Sequence, residues 1–70
     1  MRRYNYKLLD KDTGKTIMIP RDLGLECKKY SITVREILNN YNEYNSLGMR
    51  ATYGDAAQLA IYLRKKGSVK

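Results

Sequence analysis

Histidine is absent from this 70-residue chain, and with it the side chain most readily poised for general acid–base work near neutral pH. A catalytic base would have to be a carboxylate or a lysine with a strongly shifted pKa, and none sits in a suggestive cluster. Phenylalanine and tryptophan are missing too, so all the aromatic content lies in seven tyrosines. Cysteine occurs once, as Cys27. A single thiol excludes an internal disulfide framework, and without an imidazole to activate it Cys27 reads as a core residue rather than a nucleophile. No apolar run approaches the roughly 18 residues of a membrane span. The basic start Met1-Arg2-Arg3 leads into no apolar stretch or small-residue cleavage site, so a cytoplasmic location is expected.

Acidic residues are also scarce: 7 Asp plus Glu stand against 14 Lys plus Arg, a formal net charge of +7. On so small a body that charge creates a positive field, and nucleic acids are the commonest polyanions it would meet. A hydrophobic fraction of 43% is enough for a globule and too high for a disordered tail. The expectation is one small basic domain over residues 1–70, near the lower size limit for an unstapled core. Homodimerisation is an open option for a chain with so little core. Generous use of Asn, Ile, Lys and Tyr, all with A/T-rich codons, points to an A/T-rich genome such as that of a low-GC bacterium, or of a phage or plasmid living in one.

Two β-prone runs, Tyr4–Leu9 and Thr16–Ile19, flank the turn formers Asp10, Asp12, Thr13 and Gly14. A four-residue loop, Lys11–Gly14, aligns Tyr6 with Ile19 and Leu8 with Ile17 and gathers Tyr4, Tyr6, Leu8, Ile17 and Ile19 on one apolar face. A slip of one residue destroys that face. Pro20 ends the hairpin. Leu23, Cys27 and Tyr30 have helical spacing, which predicts a short helix over Asp22–Tyr30 with Asp22 as its N-cap. Thr33-Val34-Arg35-Glu36 is a capping box, and Val34, Ile37, Leu38, Tyr41 and Tyr44 form an amphipathic stripe, so a second helix is expected from Val34 to Tyr44 with Gly48 at its exit. A third is expected from Tyr53 to Lys66, capped by Thr52 and Asp55 and ended by Gly67. Its buried stripe reads as Ala56, Leu59, Ala60 and Leu63, widened by Ala57 and Ile61. The fold class is α+β: an N-terminal β-hairpin followed by two or three short helices packed on one sheet face.

Two resemblances to chemical sites fail on spacing. Asp10, Asp12 and Gly14 look like the start of a calcium loop, but Arg21 stands where the bidentate glutamate belongs. Gly14-Lys15-Thr16 looks like the end of a phosphate-binding loop, but Leu9 stands where its first glycine belongs. No zinc-ligand set exists. The chain is expected to be no enzyme and to carry no cofactor and no metal.

A helix-turn-helix alignment fits in part. Cys27 takes the small position, Ile32 and Ile37 take apolar anchor positions, while Ser31 replaces the usual turn glycine and Asn40 falls where burial is required. Two helices meeting for packing alone explain the same residues. If the motif operates, Arg35 and Asn39 are the candidates for base contacts, since arginine suits guanine and asparagine adenine. The charge map favours other regions: residues 1–30 carry net +4, residues 31–62 net −1, and residues 63–70 four basic groups alone.

Arg2, Arg3, Lys7, Lys15, Lys28, Lys29, Arg64, Lys65 and Lys66 are therefore the candidate phosphate contacts. The first reading is a nucleic-acid-binding protein, DNA before RNA, acting as a regulator or accessory factor of a mobile element. The alternative is a protein-interaction module, a small inhibitor or adaptor that binds an acidic protein surface, for which the tyrosines and arginines supply hot-spot chemistry.

Overall fold

A computed structural model describes residues 6–68. The hairpin pairs β1 (Tyr6–Leu9) with β2 (Thr16–Ile19), antiparallel, in the expected register of Tyr6 opposite Ile19 and Leu8 opposite Ile17. Its loop is held by its own side chains. Asp10 accepts hydrogen bonds from the Asp12 amide and the Thr13 hydroxyl, and Gly14 donates its amide to the Asp10 carbonyl with φ +76°. The turn reading of Asp10 and Gly14 thus accounts for their side-chain and backbone geometry. Ile17 and Ile19 are buried, Tyr6 and Leu8 half-buried, and Lys7, Leu9, Thr16 and Met18 exposed on the other face. Tyr4, expected on the apolar face, lies outside the described residues.

Three helices follow: α1 (Arg21–Lys29), α2 (Val34–Ser46) and α3 (Tyr53–Ser68). The architecture is a small α+β fold. α1 packs on β1 and α3, β2 packs on α3, and α2 packs chiefly on α3, which makes α3 the shared wall of the molecule. No helix among the described residues is long and apolar enough to cross a membrane.

The expected N-cap at Asp22 is corrected. The cap lies two residues earlier, at Pro20, with φ −56° and ψ 144° and no side-chain cap bond. The extended ψ of Pro20 carries the chain straight from strand into helix, and the Pro20 carbonyl accepts the Gly24 amide. Asp22 lies in the first turn, where its charge suits the positive end of the helix dipole. The capping box at Thr33 and Glu36 is formed in both directions. Thr52 and Asp55 make the same reciprocal pair at the start of α3, with the Thr52 amide on the Asp55 carboxylate at 3.0 Å and the Asp55 amide on the Thr52 hydroxyl at 3.2 Å.

α2 runs two residues past the expected Tyr44 and ends in a Schellman motif: Gly48, at φ +75°, donates to the Asn45 carbonyl and Met49 to the Tyr44 carbonyl. Gly67 does not stop α3, which continues to Ser68. A glycine weakens a helix without breaking it.

The core consists of Ile17, Ile19, Cys27, Ile32, Val34, Ile37, Ala56, Ala57, Ala60 and Ile61, with Tyr6, Leu8, Leu23, Tyr30, Leu38, Tyr41, Tyr44 and Tyr53 packed around it. Tyr41 and Tyr53 join α2 to the start of α3, their ring centroids 4.6 Å apart. The expected α3 stripe is rotated. Ala57, Ala60 and Ile61 face inward beside Ala56, while Leu59 is half-buried and Leu63 is 49% exposed. Three alanines let α2 and α3 approach closely, and that approach selects the alanine side of α3 over its leucine side.

Candidate nucleic-acid interface

The candidate surface is built where α1 ends. Ile32 must enter the core directly after the helix, so the chain reverses within two residues. It does so through a second Schellman motif, in which Ile32 donates to the Cys27 carbonyl at 2.8 Å and Ser31 to the Lys28 carbonyl at 3.3 Å. Ser31 takes the left-handed conformation, φ +57°, that glycine usually supplies. This reversal leaves the Tyr30 and Ser31 carbonyls facing α3, and brings Tyr30 to the surface with Lys28 and Lys29 just before it.

Arg64 answers those carbonyls. It continues the inward stripe of α3 one turn beyond Ala60 and Ile61, which makes it half-buried. Its guanidinium donates to the Tyr30 carbonyl at 3.1 Å and pairs with Glu36 at 2.6 Å, the same glutamate that closes the α2 capping box. One side chain thereby ties the end of α1, the start of α2 and the outer half of α3. Arg64, a candidate phosphate contact, thus makes its contacts to Tyr30 and Glu36 from a partly exposed position.

The neighbouring lysines are placed differently. The Lys29 ammonium stands 5.5 Å from the centroid of the Tyr30 ring and that of Lys65 stands 5.8 Å from it. Residues far apart in sequence are thus gathered on one aromatic, each held by a cation–π contact worth about 0.5–1 kcal/mol at an exposed site. Lys66 and Lys65 line an open groove along α3 with Gln58, Ile61 and Tyr62. No acidic side chain lines that groove. Tyr62 is 59% exposed. Lys28 is exposed on the last turn of α1.

The remaining candidates lie elsewhere. Lys7 is exposed on the outer face of the hairpin opposite Met18, and Lys15 is exposed at the end of its loop. Arg35 reaches back to the hairpin loop and pairs with Asp12 at 3.3 Å, an exposed contact of about 0–1 kcal/mol. Asn39 is exposed and shares a shallow depression with Glu36, Asn40, Ala60 and Leu63. The two residues expected to read bases therefore stand beside carboxylates. Arg2 and Arg3 lie outside the described residues.

Helix, turn and helix follow in order, but the main packing partner that α1 and α2 share is α3. Tyr30 and Tyr62, which stand among these lysines, are not singled out by the sequence pattern. Their signal was present in the lysines adjacent to Tyr30 and in those three and four positions beyond Tyr62 on a helix.

Cys27, fully buried, has its thiol pKa pushed from 9.0 to about 11 by burial first, then by the charges of Glu26 and Glu36. No group of three His, Cys, Asp or Glu side chains suited to holding a metal ion exists among the described residues. Comparison with protein-family models, with curated proteins and with solved structures finds no match to this chain.

Proposed function

We propose that this chain is a small nucleic-acid-binding protein, a DNA-associated regulator or accessory factor of a phage or another mobile element, acting in the cytoplasm. The observation that carries the reading is the pair of ammonium groups, Lys29 and Lys65, held over the Tyr30 ring. A lysine has three donors and a cation–π contact uses none of them fully, so both ammoniums keep protons for phosphate oxygens. Lys28, exposed beside Lys29 in sequence, and Lys66, in the groove with Lys65, add to the positive charge. Phosphate neutralisation releases counterions, so affinity depends steeply on salt.

Fluorescence anisotropy of the purified protein against labelled DNA at 50 and 200 mM salt tests this. Six to ten phosphate contacts weaken binding by about 10³–10⁵-fold between those concentrations. The double substitution Lys29→Glu with Lys65→Glu weakens binding to every sequence and flattens the salt dependence by about one logarithmic unit per lost contact. Unchanged affinity in that variant removes this surface from the interface.

A second reading rests on the segment after α2, where Leu47 is 68% exposed and Met49 50% exposed, next to Arg50. Apolar and basic groups together suit an acidic protein surface with an apolar centre. Loss of a protein partner on Leu47→Ser with Met49→Ser, with DNA binding weak and equal for all forms, favours this reading.

A further inference from the structure

We infer that the nucleic acid bound at this surface is single-stranded, with an unpaired base stacked on Tyr62 and the adjoining phosphates on Lys65, Lys66 and Lys29. The inference rests on the nucleic-acid reading above and specifies the form of the ligand. An exposed tyrosine ring on a helix has ordinary company in polar neighbours, but Tyr62 is 59% exposed and lines an open groove together with Lys65 and Lys66. Lys65 belongs to both halves of the surface, because it lines the Tyr62 groove and also stands over the Tyr30 ring beside Lys29.

Tyr62, Lys66 and Lys65 thus share one groove, and Lys65 links that groove to Tyr30 and Lys29. This is the chemistry that holds unpaired strands, in which cations follow the backbone and an aromatic ring accepts whichever base is splayed out. A duplex keeps its bases stacked inside and offers Tyr62 nothing to stack on. The helix expected to enter a major groove, α2, has Arg35 on Asp12 and Asn39 beside Glu36, so the charge that would meet duplex phosphates is lacking on that face.

The test is anisotropy with a labelled single-stranded oligothymidylate, its ribonucleotide counterpart and a duplex hairpin, each at 50 mM salt, for the parent chain and three variants. The expected result is tighter binding to the single strands than to the duplex. Tyr62→Ala loses roughly 5- to 150-fold in single-strand affinity, the value of one base–aromatic stack. Tyr62→Phe, which keeps the ring, recovers the affinity. Circular dichroism melting of Tyr62→Ala matching the parent establishes that the loss is not unfolding.

Tighter binding to the duplex overturns the single-strand inference and leaves the nucleic-acid reading standing. So does unchanged binding of Tyr62→Ala when Lys65→Glu with Lys66→Glu abolishes it. Absence of binding to every probe at 50 mM salt overturns both.

Discussion

The ring of Tyr6 fills the space that a side chain on Gly24 would occupy, with three ring carbons inside the volume of a methyl group there. Gly24 is buried in the middle of α1, and this contact is how β1 seats on that helix. Glycine in a helix interior costs about 1 kcal/mol relative to alanine. Here the close approach of strand and helix outweighs that cost. Gly24→Ala should therefore destabilise the protein by about 1–3 kcal/mol, as overpacked sites do, despite the gain in helix propensity. Urea unfolding of the variant measures it, and a more stable Gly24→Ala would mean that the hairpin is not seated on α1.

Ser31 makes the opposite case. Its φ of +57° places a Cβ where L-residues pay about 1–2 kcal/mol, at the turn that delivers Ile32 to the core. Ser31→Gly relieves that strain and gives back part of the gain through a freer unfolded chain. A net stabilisation of about 0.5–1 kcal/mol is expected, a rise of roughly 2–8 °C in melting temperature for a domain of this size. Equal or lower thermal stability would mean that the serine side chain offsets its own strain.

The hairpin and the middle helix were legible because their signals are local. Turn residues and two-residue periodicity set the strand register, and one tetrapeptide, Thr33–Glu36, set the start of α2. The rotation of α3 was not legible. Its leucine stripe and its alanine stripe both have helical spacing, and only contact with α2 decides between them. The same rotation turned Arg64 inward, so a residue that reads as a free basic end became an internal tie. The cluster on Tyr30 needed the whole fold, since Lys29 and Lys65 meet only after α1 and α3 have packed.

Arg64 and Lys66 stand two residues apart and should answer substitution differently. Arg64→Gln loses a charge-assisted pair and a bond to the end of α1, in a partly exposed site where solvent screens both, so a loss on the order of 1 kcal/mol is expected. Lys66→Gln, at an exposed position, should stay within about 0.5 kcal/mol of the parent. A double-mutant cycle of Arg64→Gln with Glu36→Gln should show coupling between the two. Full additivity, with parental stability in both singles, would return Arg64 to the set of free cations.

The buried thiol predicts how the fold responds to alkali. Cys27 keeps its proton in the folded state up to about pH 11, because burial disfavours the thiolate and Glu26 and Glu36 repel it, whereas the ordinary value is 9.0. Between those two pH values the unfolded chain releases a proton that the folded chain retains, so unfolding gains from rising pH. The contribution is fully present below pH 9.0 and is lost progressively as the pH climbs through about 11. At about 1.36 kcal/mol per unit the two units from 9.0 to about 11 amount to on the order of 3 kcal/mol. Comparison with Cys27→Ala isolates the contribution of the thiol. The variant starts less stable because of the cavity it leaves, and its deficit should shrink as urea titrations move from pH 8 to pH 11. Parallel curves for parent and variant would mean that the thiolate is as well accommodated in the fold as in the unfolded chain. A convergence would tie alkaline unfolding to the one position where α1 buries an ionisable group in the core.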